Sequence, residues 1–285
     1  MLKGKCIILG VTGGIAAYKA LELVRLLTKA GAAVHVIMTN SAMEFVTPLS
    51  FQTLSANPVH TRLFNLISQA EIGHISLADR ADLFIIAPAT ANIIGKVANG
   101  IADDMLTTTV MATKAPVLIA PAMNVNMYTN PIYRENEQRL SRFGFLFVSP
   151  EKGMLACGWE GEGKLAPPEA ILEAAVAALG PRDLAGQTIM VTAGPTREDL
   201  DPVRYISNHS SGRMGYAIAR CAARRGARVI LVSGPVRIDP PCGVELVSVS
   251  SALEMQAAVM AHIDACQAVI KSAAVADYRP AERCA

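Results

Sequence analysis

The sequence has no apolar run long enough to cross a bilayer. Its most hydrophobic stretch, Leu83–Ile94, is about a dozen residues long and contains Pro88, whereas a transmembrane helix needs about 20 apolar residues. The apolar run near the N-terminus ends after about four residues in a glycine-rich turn, which is not the form of a signal peptide. We therefore expect a cytoplasmic protein with no membrane partner.

Paired or clustered cysteines are also missing. The six cysteines are scattered, with no CxxC pair and no metal-ligand spacing, so we expect reduced thiols and no metal site of their own. The formal net charge is only +2, which gives no reason to expect a nucleic acid as a partner.

Apolar residues are abundant. They make up 52% of the chain against 18% charged residues, and the mean hydropathy is +0.34. This composition indicates that apolar surface is covered between subunits, as in a homo-oligomer. A length of 285 residues suits two domains better than one.

The first forty residues alternate between strand and helix patterns. Cys6–Gly10 is typical of a short buried strand, Ile15–Lys29 has apolar residues at helical spacing, and Val34–Met38 predicts a second strand. Gly31 suits a left-handed cap at the end of the helix. Further buried strands are predicted at Leu83–Ala87, Pro116–Ala120 and Phe145–Val148. The pattern predicts an α/β fold with a doubly wound parallel sheet, flavodoxin-like or Rossmann-like.

The same pattern starts again after a candidate linker at residues 180–183. Gly186–Thr192 resembles the first strand, Ala219–Arg225 the first helix, and Arg228–Val232 the second strand. We expect a first domain over residues 1–180 and a second α/β Rossmann-like domain over residues 186–285. The strand-to-helix connection in the second domain, residues 193–215, is about twenty residues long, and connections of that length are usually functional.

The segment Gly10–Ile15 lies where the first strand meets the first helix. Glycines there let backbone N–H groups face a phosphate at the helix N-terminus, although a tight βα turn would also need them. The segment is not GxGxxG, and the second strand ends at Thr39-Asn40 without the carboxylate that binds a dinucleotide ribose. The pattern therefore favours a mononucleotide such as FMN over NAD.

Polar groups follow the predicted strands at several points. Ala87–Asn92 and Pro121–Asn124 come directly after neighbouring strands, where open parallel sheets bind ligands. His74 lies in a polar stretch before the strand at Leu83. Cys157 lies in a charged, glycine-rich segment, Met154–Lys164, which we interpret as a mobile flap whose thiol suits a proton donor or nucleophile.

These residues, taken in order, resemble the flavin-containing cysteine decarboxylases. The resemblance covers residues 4–178, and the second half resembles the ligase domain of the bifunctional phosphopantothenoylcysteine decarboxylase/phosphopantothenate–cysteine ligase family. The motifs that carry it are Gly10–Lys19 (GVTGGIAAYK), His74, Ala87–Thr90 (APAT), Pro121–Asn124 (PAMN), Ala156-Cys157-Gly158, Thr192–Glu198 (TAGPTRE) and Asp201–Gly215 (DPVRYISNHSSGRMG).

For the first half, the resemblance implies FMN-dependent decarboxylation of 4′-phospho-N-pantothenoylcysteine to 4′-phosphopantetheine in coenzyme A biosynthesis. It implies that His74 is a base, that Asn124 holds the substrate carboxylate, and that Cys157 is the acid that protonates the product. It also implies trimers, or multiples of trimers, with the flavin at the subunit contact. The residues implied around FMN are Thr12, Gly13, Gly14, Ile15, Thr39, Pro88, Thr90 and Asn92.

In the second half, Ser207–Gly215 precedes a predicted helix near Tyr216 and has the hydroxyls, glycines and arginine of an anion site, although it is not a P-loop. A Ser/Gly surface loop is the alternative. The resemblance implies binding of CTP with Mg²⁺, activation of phosphopantothenate as an acyl-cytidylate, and attack by cysteine. The implied residues are Asn208, Ser210, Ser211, Gly212, Gly215, Lys271, Ser272, Ala273 and Asp277.

The family pattern continues well beyond Asp277. We therefore expect an incomplete ligase domain that does not ligate, with a sheet edge that is poorly ordered or covered by a partner.

Three alternatives stay open. A flavin prenyltransferase or a peptidyl-cysteine decarboxylase would share the first fold but not the ligase-type second half. A flavin-binding regulatory subunit would share the fold without the reaction, although the positions of His74 and Cys157 are both filled here. A plain NAD-binding Rossmann protein is disfavoured by Thr39.

Overall fold

The structure is a computed structural model and describes residues 2–63, 73–154 and 158–281. The chain divides into two compact units, residues 1–179 and 180–285. Each unit contains a parallel sheet of its own. Within the described ranges, no helix is both long and apolar enough to cross a membrane.

The first unit is built on a six-stranded parallel sheet. Its strands are β1 (Cys6–Val11), β2 (Ala33–Met38), β3 (Val59–His60), β4 (Leu83–Ala89), β5 (Val117–Pro121) and β6 (Leu146–Phe147). They lie in the order β3-β2-β1-β4-β5-β6, so the strand order reverses between β1 and β4. In open parallel sheets such a reversal leaves a crevice at the carboxyl ends of the two strands, where ligands bind.

Helices cover both faces of this sheet. They are α1 (Ala17–Lys29), α2 (Asn40–Met43), α3 (Pro48–Ser55), α4 (Gly73–Arg80), α5 (Ala91–Ala98), α6 (Met105–Ala112), α7 (Val125–Tyr128), α8 (Pro131–Arg142) and α9 (Pro168–Leu179). Successive residues of β1 supply the two cores, since Ile7 and Leu9 pack with α1, α3 and α9 while Ile8 packs with α4, α5, α6 and α8. The alternation follows from the two-residue period of a strand.

Helix α1 shows why the predicted pattern folds as it does. Its buried positions, Ala17, Ala20, Leu23, Val24 and Leu27, form one stripe at helical spacing. The helix ends before Gly31, whose φ of +96° suits a residue without a side chain. The doubly wound α/β fold predicted from the sequence is confirmed.

A hairpin follows β6. Its two antiparallel strands are β7 (Glu151–Met154) and β8 (Glu160–Lys164). The segment interpreted as a mobile flap is therefore, over the described residues 151–154 and 160–164, a paired hairpin. Cys157 itself lies outside the described residues.

The second unit repeats the architecture with a smaller sheet. Its elements are β9 (Thr188–Ala193), β10 (Arg197–Asp199), β11 (Tyr205–Ser207), α10 (Arg213–Arg224), β12 (Arg228–Ser233), β13 (Val244–Ser248), α11 (Ala252–His262), a 3₁₀ turn (Ile263–Ala265) and β14 (Ala268–Lys271). The parallel sheet has the order β13-β12-β9-β14, which confirms the second predicted α/β sheet.

Three local features add detail to these expectations. The polar stretch that contains His74 forms the first turn of α4. Helix α10 begins at Arg213 and not near Tyr216, because Gly212 adopts a left-handed φ of +71° and its carbonyl accepts the Tyr216 N–H. The candidate linker is packed at its end, where the Asp183 carboxylate accepts hydrogen bonds from Arg225 at 2.9 and 2.5 Å.

Two imidazoles beside the sheet carry lowered pKa values. His35 on β2 is 8% exposed, and its Nε2 lies 3.5 Å from Nη2 of Arg80. Burial lowers the pKa of His35 and of His60, and the positive charge of Arg80 lowers both further.

We expect the free energy of unfolding of the first unit to fall as the pH drops through about 6.5, the pKa of an unfolded histidine. Between that pH and the lower pKa values of the folded state, the unfolded chain binds more protons, so acidification favours unfolding. Urea unfolding at about pH 8 and about pH 5.5 measures the difference. A His35→Asn/His60→Asn variant should show a weaker dependence, and the same dependence in both proteins would contradict this origin.

Candidate functional site

Two cavities adjoin at the carboxyl edge of the first sheet. The larger measures about 840 Å³ and the smaller about 490 Å³, within the usual range of small-molecule sites. Gly13, Thr90 and Met127 line both of them. The cavities therefore meet at the crevice between β1 and β4.

A threonine hydroxyl joins the two sides of that crevice. Thr12, at the end of β1, donates from Oγ1 to the carbonyl of Pro88 at 2.7 Å and accepts the N–H of Thr90 at 3.1 Å. Pro88 lies where the pairing of β4 with β5 is irregular, a position that tolerates the lack of an N–H. The hydroxyl thus fixes the turn after β1 against the end of β4.

Gly13 brings the same turn against α2. A Cβ added at Gly13 would lie 2.9 Å from the carbonyl carbon of Ser41 and closer still to its Cβ. The larger cavity is bounded by this contact, by Thr39, whose hydroxyl accepts the N–H of Ala42 at 3.2 Å to cap α2, and by Asn92. The wall is therefore made of backbone and short polar side chains.

The larger cavity also contains charged groups. Arg62 and Lys96 line it, and Lys96 donates to Asp103 at 2.7 and 2.9 Å. The hydrogen bond to Asp103 raises the pKa of the Lys96 ammonium, which stays positive. A phosphorylated, polyhydroxylated ligand matches these hydroxyls, amides and cations. The segment before α1 adds backbone N–H groups at the adjoining smaller cavity, which Gly14 and Ile15 line. The residues fit a mononucleotide.

The smaller cavity is the more apolar of the two. Ile15, Tyr18, Met127 and Met154 line it together with Asn124. Asn124 caps α7, since its Oδ1 accepts the N–H of Asn126 at 2.8 Å. The amide predicted to hold a carboxylate is thus placed at the end of β5, next to the larger cavity.

The structure does not bring His74 to these cavities. His74 lines neither of them, and its buried Nδ1 has no hydrogen-bond partner among the described residues. The predicted residues that do line a cavity are Thr12, Gly13, Gly14, Ile15, Thr39, Thr90, Asn92 and Asn124. Pro88 touches the site through its bond to Thr12, and Cys157 is outside the described residues.

A third cavity, of about 680 Å³, lies in the second unit before α10. Asn208, Ser210 and Ser211 line it, while Gly212 caps the helix. A Cβ at Gly215 would lie 3.1 Å from the carbonyl oxygen of Thr192, so the helix approaches β9 closely there.

The predicted residues after β14 lie near the end of β9 but not in this cavity. The Thr192 hydroxyl accepts the N–H groups of Ser272 and Ala273 at 3.2 and 3.3 Å. Asn208 links the two groups, since its Nδ2 donates to the carbonyl of Val275 at 2.9 Å. Lys271 ends β14, and Asp277 lies two residues beyond Val275.

The sequence did not reveal several lining residues. Arg237 joins Arg197 and Arg213 of the two ligase-type motifs in the third cavity, and Arg62 and Lys96 lie in the larger one. Arg62, Lys96 and Arg237 come from segments far apart in the chain and belong to no motif. Only the stacking of Arg197 on Tyr205, 4.6 Å from the ring centroid, is local enough to be suggested by the pairing of β10 and β11.

Comparisons with known proteins agree with this architecture. A family model described as "Flavoprotein" matches residues 1–180, and one described as "DNA/pantothenate metabolism flavoprotein C-terminal domain" matches residues 184–285. The chain is 52% identical over 284 residues to the coenzyme A biosynthesis bifunctional protein CoaBC of Bacillus subtilis (strain 168), which covers 98% of this chain and 70% of the relative.

Two solved structures are also similar. One is a cysteine-to-serine mutant of PPC decarboxylase complexed with pantothenoylaminoethenethiol, at 31% identity and a TM-score of 0.54 over 60% of this chain and 96% of that one. The other is the FMN binding protein AtHal3, at 31% identity and a TM-score of 0.53 over 61% and 95%. The chain therefore belongs to the flavoprotein family, among the bifunctional coenzyme A biosynthesis proteins.

We expect Gly13→Ala to destabilise the first unit by about 1–3 kcal/mol, the usual cost of overpacking, and to reduce its flavin content. The added Cβ would overlap Ser41 and push the turn after β1 away from α2. Chemical unfolding and flavin absorbance of the purified protein measure both effects. Gly95→Ala is the control, because its nearest neighbour would be Asn136 at 3.8 Å and alanine favours a helix. Equal behaviour of the two variants would contradict the contact.

Proposed function

We propose that the first unit binds FMN and decarboxylates 4′-phospho-N-pantothenoylcysteine to 4′-phosphopantetheine. The observation that carries the proposal is the placement of Asn124 on an apolar cavity that adjoins a polar, glycine-walled cavity at the crevice between β1 and β4. The similarity to coenzyme A biosynthesis proteins over 98% of the chain supports it.

The larger cavity is proposed to hold FMN. Thr12, Gly13, Thr39, Thr90 and Asn92 line this cavity and would contact the cofactor directly. Gly14 and Ile15, which line the adjoining smaller cavity, and Pro88, which accepts the Thr12 hydroxyl, would complete the FMN site where the two cavities meet. When bound, FMN would supply the oxidation of the substrate's cysteinyl carbon and thiol to a thioaldehyde, and the return of the same two electrons at the end.

The chain's own residues would then control position and protons. In this proposal His74 accepts the thiol proton during oxidation, and the Asn124 amide holds the carboxylate in the smaller cavity. With a C=S group β to the carboxylate, the bond to CO₂ breaks and its electron pair moves to sulfur, giving an ene-thiolate. Cys157 would donate a proton to the carbon that lost CO₂.

His74 belongs in this scheme only if another subunit completes the site. Since His74 lines neither cavity of its own chain, we propose that a neighbouring copy supplies it, in a homo-oligomer built from trimers. Apolar side chains exposed at the cavity rim, Ile15 at 58% and Met127 at 48%, support such a contact.

We propose that the second unit is the CTP-binding part of an incomplete phosphopantothenate–cysteine ligase domain, and that it binds the nucleotide with Mg²⁺. Asn208, Ser210, Ser211 and Arg213 line the cavity before α10 and would face the triphosphate. The segment after β14, from Lys271 to Asp277, would contact the nucleoside at the ends of β9 and β14. The three arginines of the cavity add the positive charge that a triphosphate requires.

We expect Cys157→Ser to stop the reaction after CO₂ has left. Serine is a far weaker acid than a thiol, so protonation of the ene-thiolate should slow by about 10²–10⁴-fold while the earlier steps continue. Mixing the variant with the phosphorylated cysteine conjugate should therefore release CO₂ and leave the flavin reduced.

We expect Asn124→Asp to abolish CO₂ release instead, because the new carboxylate would repel the carboxylate of the substrate. A parent chain that binds no flavin would overturn the proposal.

We expect Arg213→Gln to weaken CTP binding about tenfold or more, as for loss of a charge-assisted hydrogen bond. Isothermal titration of CTP with Mg²⁺ into the chain measures this. Arg220→Gln, an exposed change on the same helix but away from the cavity, should bind CTP as the parent does. Equal weakening in both variants would mean that only general charge, and not the cavity, attracts the nucleotide.

A further inference from the structure

Arg134 on α8 contacts three segments at once. Its guanidinium carbon lies 3.8 Å from the centroid of the Tyr128 ring, at the end of α7. Nη1 donates to Glu137 on the same helix at 2.9 Å, and Nη2 lies 3.9 Å from the carboxylate of Glu162 on β8. A planar guanidinium can stack and form ion pairs at the same time, which a lysine ammonium cannot.

The stacked ring connects Arg134 to the candidate amide. Tyr128 is 5% exposed, and its ring centroid lies 5.4 Å from that of Tyr133. The N–H of Tyr128 donates to the carbonyl of Asn124 at 3.0 Å across the single turn of α7. Arg134 therefore covers the C-terminal end of α7, the short helix whose N-cap is Asn124.

The β7–β8 hairpin is held at the near end of α7 as well. Met123 donates its N–H to the carbonyl of Gly163 at 2.9 Å. A Cβ at Gly161 would lie 2.6 Å from Val125, and one at Gly163 would overlap the carbonyl oxygen of Met123. These two glycines let β8 lie directly on the segment after β5. Glu162, the residue between the two glycines, forms the ion pair with Arg134. The hairpin is thus held against α7 and α8 by a backbone hydrogen bond and by an ion pair.

The position of this hairpin decides the shape of the smaller cavity. Met154 of β7 and Gly163 and Lys164 of β8 line it opposite Asn124. The connection between β7 and β8, residues 155–159, contains Cys157 and Trp159. A shift of the hairpin would move this wall of the cavity.

We propose that Arg134 is a positioning residue that fixes the β7–β8 hairpin against α7, and so sets the distance between the cavity wall and Asn124. Its effect on the hairpin stands on the contacts alone, while its effect on the reaction rests on the function proposed above. Arg134 lines neither of the two cavities, so it would act on the site through Tyr128 and Glu162.

The single tryptophan of the chain reports on this hairpin directly. Trp159 is 56% exposed and immediately precedes β8. In flavin-free protein, we expect Arg134→Ala to raise the ratio of detached to attached hairpin about two- to fivefold, as for loss of one exposed cation–π contact. The Trp159 fluorescence anisotropy should fall and quenching by acrylamide should rise accordingly. Acrylamide is neutral, so the lost charge does not itself change the quenching. Arg142→Ala, an exposed change on the same helix, is the control and should match the parent.

The flavin signal of the loaded protein gives a second readout. After mixing with the phosphorylated cysteine conjugate, Arg134→Ala should reduce its flavin at the parent rate but recover the oxidised absorption about two- to fivefold more slowly. That asymmetry is expected only if the hairpin carries the acid. Arg134→Lys should fall between alanine and the parent, because it keeps the charge without the stacking.

A surface variant keeps the test decisive if Arg134→Ala does not fold. Glu162 is 57% exposed, so Glu162→Gln should leave the fold intact and change the Trp159 signals in the same direction by a smaller factor. Unchanged Trp159 signals in the variants would overturn the proposal, as would an effect of Arg134→Ala without any effect of Glu162→Gln. If the parent flavin is not reduced by the substrate, the proposed function fails, while the tryptophan measurement still decides the role of Arg134.

Discussion

In each unit, the loops at the carboxyl edge of the sheet are held together by one threonine hydroxyl near the end of a central strand. In the first unit the Thr12 hydroxyl bonds the chain at both Pro88 and Thr90, across the crevice between β1 and β4. In the second unit the Thr192 hydroxyl accepts two N–H groups from the chain after β14. Diverging loops would otherwise leave buried backbone groups unpaired at a strand-order reversal, which is costly. A threonine satisfies them and fixes the spacing of the loops that bind ligand.

The elements that the sequence predicted well are those whose pattern is set by burial. Strand β1 is a short continuous apolar run because both of its faces are buried, and helix α1 has a period of 3.6 residues because it buries one stripe. Helix α4 was missed because its first turn, beginning Gly73-His74, is polar and only half-buried. Hairpin β7–β8 was missed as well, since a strand of glycines and charged residues that packs through its backbone has no apolar alternation.

The residues of the candidate site were predictable only where they belong to a motif directly after a predicted strand. Thr12, Thr90 and Asn124 were found because strand ends collect at one edge of a parallel sheet. Arg62, Lys96 and Arg237 were not, since no spacing in the sequence relates them to the motifs they join in space. The contact between His74 and a neighbouring chain stays a prediction, because nothing in a single chain places that imidazole beside the amide.

The two glycines of β8 have a consequence for which thiols the protein admits. Gly161 and Gly163 have no side chain, and this lets β8 lie directly on the chain after β5, beside Asn124, where most binding sites are shaped by the side chains they contain. The size of the thiol that can enter beside Asn124 would then depend on how closely the backbone of β8 approaches the backbone after β5. Homologous enzymes acting on bulkier thiols could widen the entrance by a single methyl group that lifts the strand, without altering any group that touches the ligand.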